Sequence, residues 1–140
     1  MPKISTFMYC DRAELNPQGQ MHITNPLLVM NPVFVPGMYS FSVVFGVQGL
    51  DNESDHTLRV LFLSPNENEP PLIDTNTISL PKGTAPKIMI SLPPEQKGMM
   101  FNMDFRNVVF KTEGTYKTRV YFDGENLGDY PIYVKAGEER

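Results

Sequence analysis

The stretch that decides the fold is Tyr116-Lys117-Thr118-Arg119-Val120-Tyr121-Phe122-Asp123, with the residues that follow it. Tyr116, Thr118, Val120 and Phe122 alternate with Lys117, Arg119, Tyr121 and Asp123. A period of two is the repeat of an extended strand, whose successive side chains point to opposite faces. Asp123-Gly124-Glu125-Asn126-Leu127-Gly128 then supplies turn residues. Tyr130, Ile132 and Val134 resume the rhythm around Pro131 and Tyr133. Two alternating runs about a glycine-containing turn predict a closing hairpin.

The same rhythm recurs outward from this hairpin. In 38–47, Tyr39, Phe41, Val43, Phe45 and Val47 alternate with Met38, Ser40, Ser42, Val44 and Gly46. In 57–63 the apolar set is Leu58, Val60 and Phe62, and in 101–106 it is Phe101, Met103 and Phe105. Further strands are predicted at 4–14, 20–24, 27–35, 72–79 and 87–92. No window carries an apolar stripe at helical spacing. The 13 prolines and 10 glycines are spread along the chain and read as turns between short elements. Asn16-Pro17-Gln18-Gly19 is one such turn. Asp51-Asn52-Glu53-Ser54-Asp55, 64–71 and 93–98 are polar loops. Short strands with turns between them predict an all-β protein. The expected architecture is one immunoglobulin-like β-sandwich of two antiparallel sheets with about eight to ten short strands. The 140 residues suit one domain, 1–140, with 136–140 as a flexible tail.

Gly37, Tyr39, Val43 and Phe45 repeat the spacing of Gly114, Tyr116, Val120 and Phe122. This echo reads as an old duplication or as the ordinary pattern of a strand that begins at a glycine and packs aromatics inward.

Composition excludes several roles. The net charge is −4, and Lys and Arg form no run, so the clustered bases of a phosphate-backbone binder are missing and nucleic acid is not an expected partner. Cys10 is the single cysteine, which excludes an internal disulfide and points to a reducing compartment. Met1-Pro2-Lys3-Ile4-Ser5-Thr6 lacks the apolar core of a signal peptide, and the apolar stretches are too short and too broken to span a membrane. The expected location is therefore cytoplasmic, and Asn52-Glu53-Ser54 is an accidental sequon.

Glu113-Gly114-Thr115-Tyr116 resembles the tyrosine corner of immunoglobulin-type sandwiches, although the paired cysteines of true immunoglobulin domains are absent. A wider resemblance runs through Cys10-Asp11-Arg12-Ala13-Glu14, Gln20-Met21-His22-Ile23, His56-Thr57-Leu58-Arg59-Val60-Leu61-Phe62-Leu63 and Phe105-Arg106-Asn107-Val108-Val109-Phe110. It ends with Tyr121-Phe122-Asp123-Gly124 and Pro131-Ile132-Tyr133-Val134. In these motifs the chain is similar to a family of short, functionally uncharacterised β-sandwich proteins of bacteria and their phages. Asn25-Pro26 stands where a glycine-containing turn is expected. The resemblance implies the fold and a bacterial or phage origin, and it supplies no catalytic residue.

Candidate chemistry reads the same way. His22 reads as a histidine on the wet face of a strand rather than a ligand or base. His56 follows Asp55, and an Asp–His pair can orient an imidazole, but no activated Ser or Cys accompanies it. Cys10 needs a nearby cation to become a nucleophile, and Arg12 is the one hint of it; a buried inert thiol is the plainer reading. Asp51, Glu53 and Asp55 evoke a calcium loop, yet His56 and Phe62 occupy positions where that loop needs glycine and glutamate. Asp11, Glu14 and Glu113 are carboxylates that nothing in the sequence brings together as a glycosidase pair. No catalytic, cofactor-binding or metal-binding residue is assigned, no cofactor is expected, and a small-molecule ligand is disfavoured.

The remaining expectation is a non-enzymatic protein-interaction module, including accessory or host-defence-inhibiting factors, with a protein partner or self-association. Lys117, Arg119, Tyr121 and Tyr133 are the expected binding face, with the two tyrosines as cross-strand neighbours if the turn at 123–128 sets that register; the alternative reading makes this an inner face of the sandwich. A structural part of a phage particle or similar assembly, and a carbohydrate- or surface-binding module, are the alternatives. The absence of Trp counts against the latter.

Overall fold

A computed structural model describes residues 2–84 and 91–137. The strands are β1 (Lys3–Leu15), β2 (Met21–Leu27), β3 (Val29–Met30), β4 (Gly37–Gln48), β5 (His56–Leu63), β6 (Ile73–Asp74), β7 (Ile78–Leu80), β8 (Gly98–Phe110), β9 (Gly114–Phe122) and β10 (Glu125–Val134). They form two sheets. One is four-stranded in the order β2-β1-β4-β8. The other is six-stranded in the order β3-β10-β9-β5-β6, with β7 also on β5. Every pairing is antiparallel except β3 with β10. The described residues contain no α-helix, and Pro94–Gln96 forms a 3-10 turn. This is the expected all-β sandwich.

The alternating residues fill the space between the sheets. Phe41, Val43, Phe45 and Val47 of β4 face Leu58, Val60 and Phe62 of β5 and Tyr116, Val120 and Phe122 of β9 in one buried cluster. Each large apolar side chain removed from water contributes about 1.5–3 kcal/mol, so this cluster supplies most of the driving force. Tyr9 of β1 joins the two layers. Its hydroxyl donates to the Tyr130 carbonyl at 2.5 Å and shares a 2.6 Å hydrogen bond with the buried Thr118 hydroxyl. The tyrosine corner is present: the Tyr116 hydroxyl donates to the Thr112 carbonyl at 2.7 Å.

Several expectations are corrected, each for a local physical reason. The expected strand 27–35 shrinks to Val29–Met30, because Pro32 and Pro36 have no backbone N–H to give to a ladder. The expected strand 72–79 splits into β6 and β7 around Asn76, whose φ of 57° is left-handed. The second strand runs past 24 to Leu27. Asn25 takes φ 55° within it and donates to the Asp11 carboxylate at 2.7 Å, so no turn is needed at Asn25-Pro26. The strand read at 101–106 extends over Gly98–Phe110, but its inward parity changes. Phe105 is buried, then Val108 and Phe110, because a bulge with Asn107 at φ 56° inserts one residue. Most of the expected strand 87–92 lies outside the described residues. Of the expected tail 136–140, the Ala136 amide donates to Glu113 at 2.8 Å and the Gly137 amide to the Pro32 carbonyl at 2.6 Å. Residues 138–140 lie outside the described residues.

The β1–β2 hairpin does not lie flat. β1 pairs with β4 only from Lys3 to Cys10, and beyond that with β2 alone. Its far half arches over the outer face of the four-stranded sheet, where Cys10, Ala13 and Val44 bury one another and Met21 packs on them. Asn102 on β8 donates to the Ala13 carbonyl across this arch at 3.4 Å. The tip closes as expected: Gly19 takes φ 80°, and the Asn16 side chain accepts from the Gln18 and Gln20 amides.

Candidate functional site

The expected binding residues all lie on the outer face of the six-stranded sheet. Even-numbered residues of β9 point into the core, so Lys117, Arg119 and Tyr121 point out, as does Tyr133 on β10. The hairpin register, however, separates the tyrosines. Its turn is the two-residue pair Asp123 and Gly124, both at positive φ (53° and 81°), which places Glu125 opposite Phe122. Tyr121 therefore faces Asn126 on one side and Arg59 on the other, whereas Tyr133 faces Thr115 and Val29. Thr115 and Tyr121 are six residues apart along β9, about 20 Å at the rise of an extended strand. The expected cross-strand tyrosine pair does not form.

The charges on this face neutralise one another. Arg119 grips Asp129 through two hydrogen bonds of 2.7 and 2.9 Å, with the Lys117 ammonium 3.5 Å from the same carboxylate. Arg59 grips Asp74 at 3.0 and 2.6 Å. The Arg59 fork, helped by the Asn76 amide, holds the Asp74 carboxyl at about 2. Arg119 likewise lowers Asp129 against the opposing effect of burial. Both guanidinium forks are thus taken by acids of the same sheet.

The residues weighed for catalysis do not converge. Cys10 is fully buried, and burial pushes its thiol above the ordinary range, while the Arg12 guanidinium lies 3.7 Å from Glu14. His22 is exposed and its Nε2 lies 3.0 Å from the Asn16 amide nitrogen. His56 pairs with Asp123, not with its neighbour Asp55, which instead accepts from the Lys82 amide at 2.8 Å. The Asp51 carboxylate is taken by the Glu53 amide and the Ser54 hydroxyl. Among the described residues, no three His, Cys, Asp or Glu side chains gather as a metal site.

A different surface stands out. Around the connection from β3 to β4, Leu28 between β2 and β3, Val33 and Phe34 within the connection, and Met38 near the start of β4 are 93, 72, 74 and 64 % exposed. Met38 lies opposite the exposed Val109 of β8, and the Phe34 carbonyl closes on Gly37, where a Cβ would meet it at 2.3 Å. Val29 and its cross-strand neighbour Tyr133 are also exposed. Tyr133 thus neighbours Val29 on the outer face of the six-stranded sheet, not Tyr121, whereas Met38 and Val109 lie on the outer face of the four-stranded sheet. The available signal was the prolines: an apolar run interrupted by Pro32 and Pro36 cannot be a central strand, so its side chains have no ladder to bury them. A second apolar feature is a cleft of about 490 Å³ beneath the β1–β2 hairpin, lined by Leu15, Met21, Gly46, Met99 and Met100 among others.

Comparison with known proteins places the chain in a family. The model of DUF6941, a family of unknown function, matches residues 5–135, and the chain belongs to it. No curated protein matches in sequence. Among solved structures, the alkylpurine DNA glycosylase AlkC of Pseudomonas fluorescens, bound to DNA containing an abasic-site analogue, aligns with 96% of this chain at 12% identity and a TM-score of 0.52. The chain spans 30% of that protein, and the likeness is one of fold. An immunoglobulin-like protein of Pseudomonas aeruginosa aligns at 14% identity and a TM-score of 0.45, over 96% of this chain and 97% of its own. No helix among the described residues is long and apolar enough to cross a membrane.

Proposed function

We propose that this member of the DUF6941 family is a non-enzymatic protein-interaction module of a bacterium or phage. It works in the cytoplasm and holds its partner on the apolar side chains around the β3–β4 connection, Leu28, Val33, Phe34 and Met38 with Val109. One observation carries the reading: large apolar side chains stand clear of the core on one connected segment. Exposed apolar side chains gathered along one stretch of chain point to an interaction site, because keeping them in water costs free energy that a partner recovers. Phe34 is the natural anchor, since a few buried aromatics dominate binding energy. The charged face around Arg119 is the weaker surface, because its cations are already satisfied.

The test is partner capture from the native cytoplasm by the intact chain, compared with Phe34→Asp and Arg119→Ala. Phe34→Asp is expected to weaken capture by about 30-fold or more, the size of an anchor worth about 2 kcal/mol. Its unfolding midpoint should stay close to that of the native chain. Arg119→Ala should capture normally. Capture that survives Phe34→Asp but fails with Arg119→Ala moves the site to the six-stranded sheet.

A further inference from the structure

We propose that His56 is a proton-operated clasp between the β4–β5 loop and the β9–β10 turn, closed when the imidazole is doubly protonated and released as it loses a proton. Its Nδ1 lies 2.7 Å from the Asp123 carboxylate, and its Nε2 lies 2.6 Å from the Asp51 carbonyl. An ionised carboxylate and a carbonyl only accept hydrogen bonds, so both ring nitrogens must carry protons for both bonds to form. A neutral imidazole has one N–H, and deprotonation must break one of the two.

The surroundings favour the charged form. The other Asp123 oxygen accepts from the Thr57 amide at 2.9 Å, which fixes the carboxylate in place. The Asp123 amide donates back to the Thr57 carbonyl at 2.8 Å. The Asp51 carboxylate, also near the ring, is held by the Glu53 amide and the Ser54 hydroxyl, with Lys97 as the cation facing it. The ring packs on Phe122, centroids 5.1 Å apart, and its side chain is 12 % exposed. Burial disfavours the charge, but the bonds to Asp123 and Asp51 outweigh it, and the group titrates above its ordinary value. A folded pKa above the unfolded one stabilises the fold fully below about pH 6.5. That stabilisation disappears as the pH rises through the folded pKa. In the closed state both nitrogens are engaged with acceptors of this chain, so the protonated ring fastens the two loops to each other.

The clasp is tested in the full chain. With His22→Gln leaving a lone imidazole signal, a proton NMR titration is expected to place the His56 inflection above about 6.5. Across it, the exchange protection of the Thr57 and Asp123 amides, corrected for intrinsic rates, should fall by about tenfold. The urea midpoint of the native chain should drop between about pH 6 and pH 9, and His56→Gln should remove most of that drop. An inflection at or below the ordinary value overturns the proposal. So does a midpoint that follows the same pH course with and without His56.

Discussion

β4 and β9 begin alike and end in different surroundings. Each lies at the centre of its sheet, each starts at a glycine, and both carry the same spacing of Tyr, Val and Phe. In β9 burial alternates strictly, and Lys117, Arg119 and Tyr121 are partly exposed between buried neighbours. In β4 every residue from Phe41 to Val47 is buried. The β1–β2 hairpin makes the difference. It covers the outer face of β4 at Val44, which packs on Cys10, Ala13 and Met21, while the outer face of β9 keeps its ion pairs. The echo fails in detail too. Gly114 is needed for its φ of 142°, but Gly37 for the Phe34 carbonyl, which leaves no room for a Cβ. Tyr116 is a buried corner residue, while Tyr39 sits partly exposed beside a bulge. The same letters at the same spacing meet different constraints, so the repeat by itself is no sign of equivalent structure.

The contrast between the two outer faces can be broken most sharply by matched substitutions. Val44→Asp puts a carboxylate against Cys10 and Ala13 with no partner, and is expected to cost about 4 kcal/mol or to unfold the chain. Tyr121→Asp on the outer face of β9 should cost less than about 1 kcal/mol. Equal losses in chemical denaturation would show that the hairpin does not seal β4. A smaller effect is expected at the corner of β9. Tyr116→Phe removes the donor to the Thr112 carbonyl and should cost about 1–1.5 kcal/mol, seen as a lower urea midpoint at unchanged slope. The smallest is expected at the ion pairs. Arg119→Ala should change stability by less than about 1 kcal/mol, and by still less in high salt. A large, salt-insensitive loss there would mean that this face is as much a core as that of β4.

Much of the architecture was legible in the residues. The alternation of Leu58, Val60 and Phe62, and of Tyr116 to Phe122, named core positions correctly, because strand periodicity is local geometry. The turn at Asn16–Gly19 and the corner at Tyr116 were legible for the same reason. The candidate surface was legible only in part. Lys117, Arg119, Tyr121 and Tyr133 do point outward, but the two tyrosines part company because a two-residue turn at Asp123–Gly124 replaced the expected six-residue closure. Val33 and Phe34 were hidden inside a run that reads as a strand until the prolines are weighed, whereas Met38 was legible on the outward side of the strand at 38–47.

By itself the sequence determined that the chain is extended, in short pieces, with named side chains sharing one side of each piece. That follows from backbone geometry, which acts between near neighbours. Only the tertiary structure decided which sides are doubly covered, that His56 meets Asp123 and not Asp55, and that Leu28, Val33, Phe34 and Met38 stay exposed while Met30 is buried between them. Those outcomes depend on contacts between residues far apart in the chain, and local periodicity carries no information about them.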